Sequence, residues 1–365
     1  MPDLIFTPFT LRSMTIPNRI AMSPMTRAFC PDQVPTQEMA AYYRRRAENH
    51  VGLIITEGTV IERDVSYNDP GIPRFWGKEA LDGWCRVVDE VHEAGGKIAP
   101  QLWHVGAAPN FHNGWLPEGH VDSPSGLQMP GVPLGEPMSR QDIVDTVDAF
   151  GRAAASAREL GFDAVELHAA HGYLIDQFFW SDVNLRTDEY GGDIESRSRF
   201  AHDVVAGMRA AVGPDFPIIV RISQWKTQDY SVKIARNPEE MEAWLRPMVE
   251  AGADCFDCSQ RRFWEAEFEG SDLNFAGWVK KVSGKPVITV GSVGLSGDIM
   301  AALVEGEVSA PHSLDELMRR FERGDFDIIA VGRALLGDPE WVAKVKEGRM
   351  EELNSFDPKS IESLY

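Results

Sequence analysis

Cysteine is scarce in this sequence, and its few cysteines do not form the framework of a disulfide-rich domain. The 365 residues contain four, at positions 30, 85, 255 and 258, whereas small secreted domains carry many closely spaced cysteines. Long apolar runs are missing too. None approaches the roughly 20 residues that cross a bilayer, and no secretory signal opens the chain. We therefore expect a cytoplasmic protein without a membrane partner.

Basic residues are also in deficit. Lys and Arg number 36 against 56 Asp and Glu, which gives a formal net charge of −20 at pH 7. An acidic excess of this size works against the phosphates of nucleic acids and against anionic membrane surfaces. We therefore expect no nucleic-acid partner, and the composition leaves homo-oligomerisation open.

Helix and strand patterns alternate along the chain. Residues 139–160 have apolar side chains at helical spacing, with Ser139 as N-cap and Gly161 just past the end, and a strand pattern follows at residues 162–167. Seven further strand patterns lie at residues 19–23, 52–56, 97–102, 217–222, 254–258, 285–290 and 326–331. Eight βα units predict an α/β fold with a parallel sheet, closed as a (β/α)8 TIM barrel. A doubly wound open sheet is the alternative.

No linker or change of composition divides the chain, so residues 1–365 are predicted to form a single domain. Residues 1–18 precede the first strand and are expected to cap the N-terminal end of the barrel. The Pro- and Gly-rich residues 107–137 are predicted to form a long loop, and loops of this length inside a domain are usually functional.

Polar and glycine residues follow the predicted strands at the end where a (β/α)8 barrel has its active site. The turn at residues 291–294 after the seventh strand, and Gly332 after the eighth, occupy positions where barrels commonly bind a phosphate group. Arg333 would add a cation that can bind phosphate through two hydrogen bonds. Taken alone, His168 and His171 after the fourth strand are also compatible with metal binding in a barrel hydrolase.

Several stretches resemble the signatures of the Old Yellow Enzyme family. They are Ser-Pro-Met-Thr-Arg at residues 23–27, Thr-Glu-Gly at 56–58, Gln-Leu-Trp-His at 101–104, and the segment 161–178 with His-Ala-Ala-His-Gly-Tyr. The matches run in family order from about residue 5 to residue 345, nearly the whole chain. The resemblance implies an FMN-binding (β/α)8 barrel with an N-terminal cap and long βα loops, which NADH or NADPH reduces.

The resemblance also implies which residues hold the FMN cofactor. The isoalloxazine ring would be surrounded by residues that follow the first, second, third and fifth strands, namely Pro24, Met25, Thr26, Gly58, Gln101 and Arg221. The phosphate would be held by the two glycine turns and their neighbours, namely Gly291, Ser292, Gly294, Gly332 and Arg333. A cation such as Arg221 near the ring would stabilise the anionic reduced flavin.

The reaction implied by the resemblance is the reduction of an activated C=C bond in an α,β-unsaturated carbonyl or nitro compound. His168 and His171 would donate hydrogen bonds to the substrate's carbonyl oxygen while hydride passes from flavin N5 to the β-carbon. Tyr173 would donate a proton to the α-carbon, and Thr26 and Trp103 would complete the substrate site. Oxidative amine demethylation on the same barrel, and metal-dependent hydrolysis with the histidine pair, are the alternatives.

Two loops depart from the best-known members of the family. The usual proline soon after Arg221 is missing, and the loop after the sixth strand is atypical. We hypothesise that Trp225, Tyr230, Arg262 and Trp264, which lie in these loops, shape the substrate pocket. Exposed positions with structural duties are the alternative.

Three other features are interpreted as structural. Cys255 and Cys258 have the Cys-x-x-Cys spacing of redox motifs, but residues three apart on a strand point to opposite faces. Strand alternation also directs Glu166 away from the neighbours of His168. His104 is expected to cap a hydrogen-bond network.

Overall fold

Eight parallel strands close into a barrel in the computed structural model, which describes residues 2–110, 113–299, 302 and 305–365. In chain order they are β1 (Ile20–Met22), β2 (Leu53–Val60), β3 (Lys97–Trp103), β4 (Val165–His171), β5 (Ile218–Lys226), β6 (Cys255–Ser259), β7 (Val287–Val290) and β8 (Ile328–Val331). The barrel closes where Ile329 of β8 pairs with Ile20 of β1. The predicted (β/α)8 barrel is confirmed, and the open sheet is wrong.

A helix follows each strand. These helices are α1 (Gln37–Glu48), α2 (Lys78–Glu93), α3 (Arg140–Glu159), α4 (Arg199–Val212), α5 (Pro238–Ala251), α6 (Phe275–Ser283), α7 (Asp315–Arg323) and α8 (Trp341–Glu347). The predicted helix over residues 139–160 is α3, and Ser139 caps it in a reciprocal pair of hydrogen bonds with Asp142. No helix of the described residues is long and apolar enough to cross a membrane.

Shorter elements also occur among the described residues. Short helices or single turns lie at Pro2–Phe6, Pro31–Gln33, Leu174–Phe179, Ile194–Arg197, Arg333–Gly337, Met350–Glu352 and Pro358–Glu362. Between β3 and α3, a small hairpin pairs Leu127–Met129 with Val132–Pro133.

An antiparallel hairpin covers the N-terminal end of the barrel. It pairs Phe9–Leu11 with Met14–Ile16. Leu11, Met14 and Ile16 are buried in one apolar cluster with the inward side chains of the barrel strands. This hairpin is the cap that the sequence predicts.

Strand alternation separates an inner apolar layer from an outer one, and the two cysteines of β6 lie in different layers. Cys255 packs with inward residues such as Ala99 and Ile219, whereas Cys258 packs in the outer cluster. Burial raises the pKa of both thiols well above the usual value. Two buried thiols on opposite faces of a strand have a packing role, as the alternation predicts.

The loop between β3 and α3 is anchored at a buried aspartate. The N–H of Gly106 donates to His104 Nδ1, so the imidazole proton is on Nε2 and is donated to Asp122 at 2.9 Å. Arg63 Nη2 lies 2.9 Å from the same carboxylate. Burial would raise the pKa of Asp122, but the hydrogen bond from His104 and the charge of Arg63 lower it to about 2. His104 thus ties the long loop to the end of β3.

Aspartates before β4, β6 and β8 join each of these strands to the preceding one at the N-terminal end of the barrel. Asp163 accepts a hydrogen bond from the N–H of Ile98 at 2.9 Å. Asp254 accepts one from the N–H of Ile218, and Asp327 one from the N–H of Val287, both at 3.0 Å. Each carboxylate also pairs with a cation, namely Lys97, Arg209 and Lys280 in the same order. Three pairs of neighbouring strands are therefore held in register by the same device.

Substitution of Asp254 tests this device. Asp254→Ala leaves the buried N–H of Ile218 without an acceptor and Arg209 without its partner, so the free energy of unfolding should fall by about 3 kcal/mol. Asp254→Asn keeps an acceptor and should lose less. Urea unfolding followed by circular dichroism measures both. The control is Asp82→Ala, because Asp82 pairs with Lys78 where both side chains are exposed. Equal losses in the two alanine variants would contradict the role of Asp254.

Candidate active site

The carboxyl ends of the strands surround a cavity of about 360 Å³, within the range of about 300 to 1,000 Å³ found for small-molecule sites. Most of the predicted site residues line it, namely Pro24, Met25, Thr26, Gln101, Trp103, His168, His171, Tyr173, Arg221, Trp225, Tyr230, Gly291, Ser292, Gly332 and Arg333. Four predicted residues lie outside the lining, namely Gly58, Gly294, Arg262 and Trp264.

Close packing explains why the two glycines lie behind the cavity wall. A Cβ on Gly58 would come within 2.4 Å of the Trp103 ring, so Gly58 makes room for that indole. A Cβ on Gly294 would lie 3.0 Å from the Trp341 ring, and its φ of +72° favours glycine. Gly58 therefore makes room for a side chain of the wall, and Gly294 packs closely against a residue of α8.

The loop after β6 brings Arg261 to the cavity in place of Arg262. Arg262 turns away to Glu265 and Asp298, at 2.9 and 2.7 Å. Trp264 is partly buried and packs against the apolar core. Two adjacent arginines are indistinguishable in the sequence, because only the path of the loop decides which of them faces the cavity.

Four rings meet at the end of β4. Trp103 and His168 are stacked, with ring centroids 5.6 Å apart. Tyr173 meets both rings edge to face, at 4.7 Å from Trp103 and 5.1 Å from His168. His171 lies edge to face with His168, also at 5.1 Å. The two imidazoles and the phenol predicted to act together are therefore neighbours.

Both imidazoles are uncharged near neutral pH. Burial, together with the positive charge of Arg221, lowers the pKa of His168 well below its usual value, and the pKa of His171 is lowered in the same way. The N–H of Ala170 donates to His168 Nδ1 at 3.4 Å, which leaves the ring proton on Nε2. His168 is thus a neutral hydrogen-bond donor.

Ser259 at the end of β6 is a site residue that sequence reasoning missed. Its Oγ lies 2.7 Å from His171 Nε2, and it lines the cavity. Its position at the carboxyl end of a barrel strand is the signal that could have identified it.

Tyr173 keeps its proton over a wide pH range. Burial and the nearby Tyr230 raise the pKa of its hydroxyl to about 12. Among the described residues this hydroxyl makes no hydrogen bond, so it is available to a ligand.

The turn after β4 depends on two residues in the left-handed region. His171 has φ +68° and Gly172 has φ +79°. The positive φ of Gly172 favours glycine, and a Cβ there would also displace the end of the Gln228 side chain, whose Oε1 would lie 2.1 Å away. The N–H of Gly172 donates at 2.6 Å to Asp176, which pairs at 2.8 Å with Lys226, and both of these side chains are fully buried. This ion pair fixes the turn between the histidines and the tyrosine.

Buried acids hold Arg221 of β5 at the cavity. Its Nη1 pairs with Asp257 of β6, and its Nη2 lies 3.4 Å from Ser23 Oγ. Next to this pair, Gln101 donates to Glu166 at 2.8 Å. Burial and the charge of Asp257 raise the pKa of Glu166 well above its usual range, so Glu166 is protonated near neutral pH. Asp257 is then the counter-ion of Arg221. Glu166 and His168 are two residues apart on β4 and therefore lie on the same face of the strand, so the expectation that Glu166 points away from the neighbours of His168 is wrong.

Arg333 at the end of β8 is positioned by the turn after β7. It donates to Ser292 Oγ at 3.3 Å and to the carbonyl of Gly297 at 2.7 Å. Gly291 in this turn has φ +141°, and a Cβ there would lie 2.5 Å from the carbonyl oxygen of Gln260. Burial lowers the pKa of Arg333 to about 10, so it remains a cation at pH 7.

These residues fit the FMN implied by the sequence resemblance. Within one cavity, Met25 and Trp103 offer apolar surface, and Arg221 is a cation fixed by a buried acid. Arg333 and Ser292 form a second polar region beside the glycine turn. Apolar surface with a cation suits a flavin ring, and a guanidinium beside a hydroxyl suits a phosphate.

The end of β5 and the loop after it form a stacked aromatic wall. Trp225 lies on His171 with ring centroids 4.4 Å apart, and Tyr230 lies on Trp225 at 4.9 Å. Trp225, which the structure places near the end of β5, therefore contacts His171 directly, and Tyr230 is joined to His171 through Trp225.

Residues near the end of the chain also line the cavity, which nothing in their local sequence indicates. They are Phe356 and Ile361. Arg27, the last residue of the Ser-Pro-Met-Thr-Arg stretch, donates to the carbonyls of Ile361 and Ser363, both at 2.8 Å. The segment after β1 thus carries Thr26 and also holds this wall in place.

Known proteins are similar to this chain in sequence and in architecture. A profile of the NADH:flavin oxidoreductase / NADH oxidase family matches residues 4–352. The chain is 33% identical to an NADPH dehydrogenase of Bacillus subtilis (strain 168) over 347 aligned residues, which make up 93% of each of the two chains. Its structure is similar to that of morphinone reductase in complex with tetrahydroNAD, with a TM-score of 0.79, 27% identity and coverage of 98% and 93% of the two chains. An old yellow enzyme homologue from Zymomonas mobilis has a TM-score of 0.78 and 26% identity, with 99% of each chain covered.

The uncharged histidines predict a loss of stability in acid. An unfolded histidine takes up a proton below about pH 6.5, whereas the lowered pKa values of His168 and His171 keep them neutral in the folded protein. Their contribution to stability is therefore complete above that pH. Each histidine should lose about 1 kcal/mol between about pH 6.5 and pH 5.5.

Urea unfolding of the wild type and of His171→Asn measures this effect. The variant should lose about 1 kcal/mol less over the acidic interval, and the two proteins should behave alike above neutral pH. The same acid dependence in both would mean that folded His171 accepts a proton.

Proposed function

Because this chain belongs to the Old Yellow Enzyme family of NADH:flavin oxidoreductases, we propose that it reduces an activated C=C bond conjugated to a carbonyl or nitro group. The observation that carries the proposal is the pair of uncharged imidazoles, His168 and His171, 5.1 Å apart in the cavity. Neutral donors hold a carbonyl oxygen and bind it more strongly as negative charge develops on it.

The chain is an NAD(P)H-dependent FMN oxidoreductase. When bound, FMN supplies the hydride that NADH or NADPH delivers to it and that the substrate's β-carbon receives. We propose that its ring is held by Pro24, Met25, Thr26, Gln101 and Arg221, and its phosphate by Gly291, Ser292, Gly332 and Arg333. The substrate is then a small electrophilic alkene that lies against the histidines.

The histidines have the task of polarising the substrate. His168 donates from Nε2, because its Nδ1 is occupied by the N–H of Ala170. Ser259 Oγ occupies Nε2 of His171, so we propose that this hydroxyl donates to Nε2 and that His171 donates to the substrate from Nδ1, with Trp225 stacked on its ring. With both donors on the carbonyl oxygen, the β-carbon becomes more electrophilic and the enolate that forms is stabilised.

Tyr173 is the proposed acid for the α-carbon. Its hydroxyl is protonated at any pH well below about 12, and it is next to the imidazole of His168. An enolate carbon is basic enough to take a proton from a phenol, so the high pKa does not prevent the transfer.

The charge of the cavity argues against the amine demethylase alternative. Three arginines, Arg221, Arg261 and Arg333, are among the lining residues, and none of the described residues that line the cavity is Asp or Glu. A protonated amine would therefore lack an acidic partner there. Membership of a flavin oxidoreductase family excludes the metal-dependent hydrolase, and the described residues contain no group of three metal ligands at the histidine pair.

The substrate class can be tested on the wild-type enzyme. After reduction by NADPH without oxygen, addition of cyclohex-2-enone should restore the absorbance of the oxidised flavin and yield cyclohexanone. A reduced flavin that persists with the enone, in an enzyme that oxidises a secondary amine, would favour the demethylase.

Removal of the Tyr173 hydroxyl should separate the two half-reactions. In Tyr173→Phe, NADPH should reduce the flavin at a nearly unchanged rate, but reoxidation by cyclohex-2-enone should slow by roughly 10²- to 10³-fold, as expected for loss of a general acid. Anaerobic stopped-flow absorbance measures both rates. Tyr190→Phe is the matched control, because the Tyr190 hydroxyl donates to Asp203 away from the cavity. Equal reoxidation rates in the wild type and Tyr173→Phe would remove Tyr173 as the acid.

A further inference from the structure

We propose that Arg261 forms an anion-binding subsite at the edge of the cavity, where it binds a carboxylate or phosphate group of a ligand that lies against His168 and His171. The inference rests on the proposed function and adds a substrate class to it, namely activated alkenes with an anionic group away from the double bond. The phosphates of the NAD(P)H reductant offer the same chemistry.

A continuous stack connects Arg261 to the reacting position. Trp225 lies on the imidazole of His171, Tyr230 lies on Trp225, and the guanidinium of Arg261 lies 5.1 Å from the centre of the Tyr230 ring. Two aromatic rings therefore separate the arginine from His171. A ligand along this wall can reach both ends of the stack.

The backbone of Arg261 is fixed against the turn after β7. Its carbonyl accepts a hydrogen bond from Ser292 Oγ at 3.0 Å. A Cβ on Gly291 would lie 2.5 Å from the Gln260 carbonyl and 3.2 Å from the Arg261 carbonyl carbon, so the two loops are in tight contact. The guanidinium thus projects from a rigid base, which lowers the entropy cost of binding through it.

The guanidinium of Arg261 retains binding capacity. Its Nε is buried and has no hydrogen-bond partner among the described residues. Its Nη2 shares one oxygen of Asp298 with Arg262, both at 2.7 Å, and Arg262 has Glu265 as a second carboxylate. Arg261 lines the cavity and 32% of its side-chain surface is exposed, so a carboxylate or phosphate oxygen can reach the accessible part of the guanidinium.

The charges around the cavity favour an anion over a cation. Arg261 is one of three arginines that line it, whereas none of the described lining residues is acidic. Of these arginines, Arg221 is paired with Asp257, and Arg333 lies in the predicted phosphate region. Arg261 is the arginine next to the substrate wall.

Two matched ligand pairs distinguish the sources of the anion. The first pair is 4-ethylphenol and 3-(4-hydroxyphenyl)propanoate, which differ in a carboxylate, with dissociation constants measured from the change in flavin absorbance. The second pair is NADPH and the phosphate-free 1-methyl-1,4-dihydronicotinamide, with apparent dissociation constants measured from stopped-flow reduction of the flavin.

Arg261→Gln should weaken binding of the anionic member of at least one pair by about tenfold, as expected for a hydrogen bond between charged groups, and leave its neutral partner nearly unchanged. Arg261→Lys should restore part of the loss. Arg262→Gln is the matched control, because Arg262 shares Asp298 but lies outside the cavity lining. Flavin content and unfolding midpoint verify that each variant is folded.

Each outcome has a defined meaning. A loss confined to the propanoate indicates a substrate carboxylate, and a loss confined to NADPH indicates the reductant's phosphates. Equal changes for charged and neutral members of both pairs would overturn the proposal. If 4-ethylphenol does not bind to the wild type, the histidine donors of the proposed function fail, and the reductant pair alone decides the role of Arg261.

Discussion

Closure of the barrel between β8 and β1 is the constraint on which the site depends. The strands are short, with three residues in β1 and four each in β7 and β8. Hydrogen bonds that backbone N–H groups donate to Asp163, Asp254 and Asp327 hold neighbouring strands in register at the opposite end. Because the sheet closes, all carboxyl ends meet at one rim, and Ser23 and Arg333 line the same cavity. An error in register would turn inward side chains outward and dismantle the site.

The protonation state of each buried titratable group at the cavity depends on its burial and on the charges next to it. Arg221 retains its charge because Asp257 accompanies it, whereas Glu166 beside them takes a proton. Burial and a nearby cation lower the pKa of both His168 and His171, so both are neutral. A nearby carboxylate would favour the imidazolium form and convert a neutral donor into a charged one. Burial and the absence of acid from the described cavity lining therefore together keep the two histidines as neutral donors.

Sequence reasoning found the fold and most of the site because both are local in origin. The alternation of βα units marked all eight strands, and strand ends marked residues such as Gln101 and His168. The sequence alone could not show that Gly58 lies behind the Trp103 ring, because the need for glycine there comes from this ring, which belongs to the next strand. Sequence reasoning also chose Arg262 over Arg261, because the direction of a loop side chain depends on contacts such as that between Ser292 and the Arg261 carbonyl. These contacts are long-range, and no pattern along the chain encodes them.

The overall charge and the local charge of the cavity have opposite signs, and distance decides which of them a ligand responds to. The net charge of −20 repels anions from afar, but at physiological salt this field is screened over roughly 8 Å. Inside the cavity, screening is weaker, and a guanidinium in contact with a carboxylate interacts at an effective dielectric several times lower than that of water. The exterior therefore affects mainly the rate at which an anionic ligand arrives. The arginines decide how firmly it is held, so the acidic surface and a preference for anions in the site are compatible.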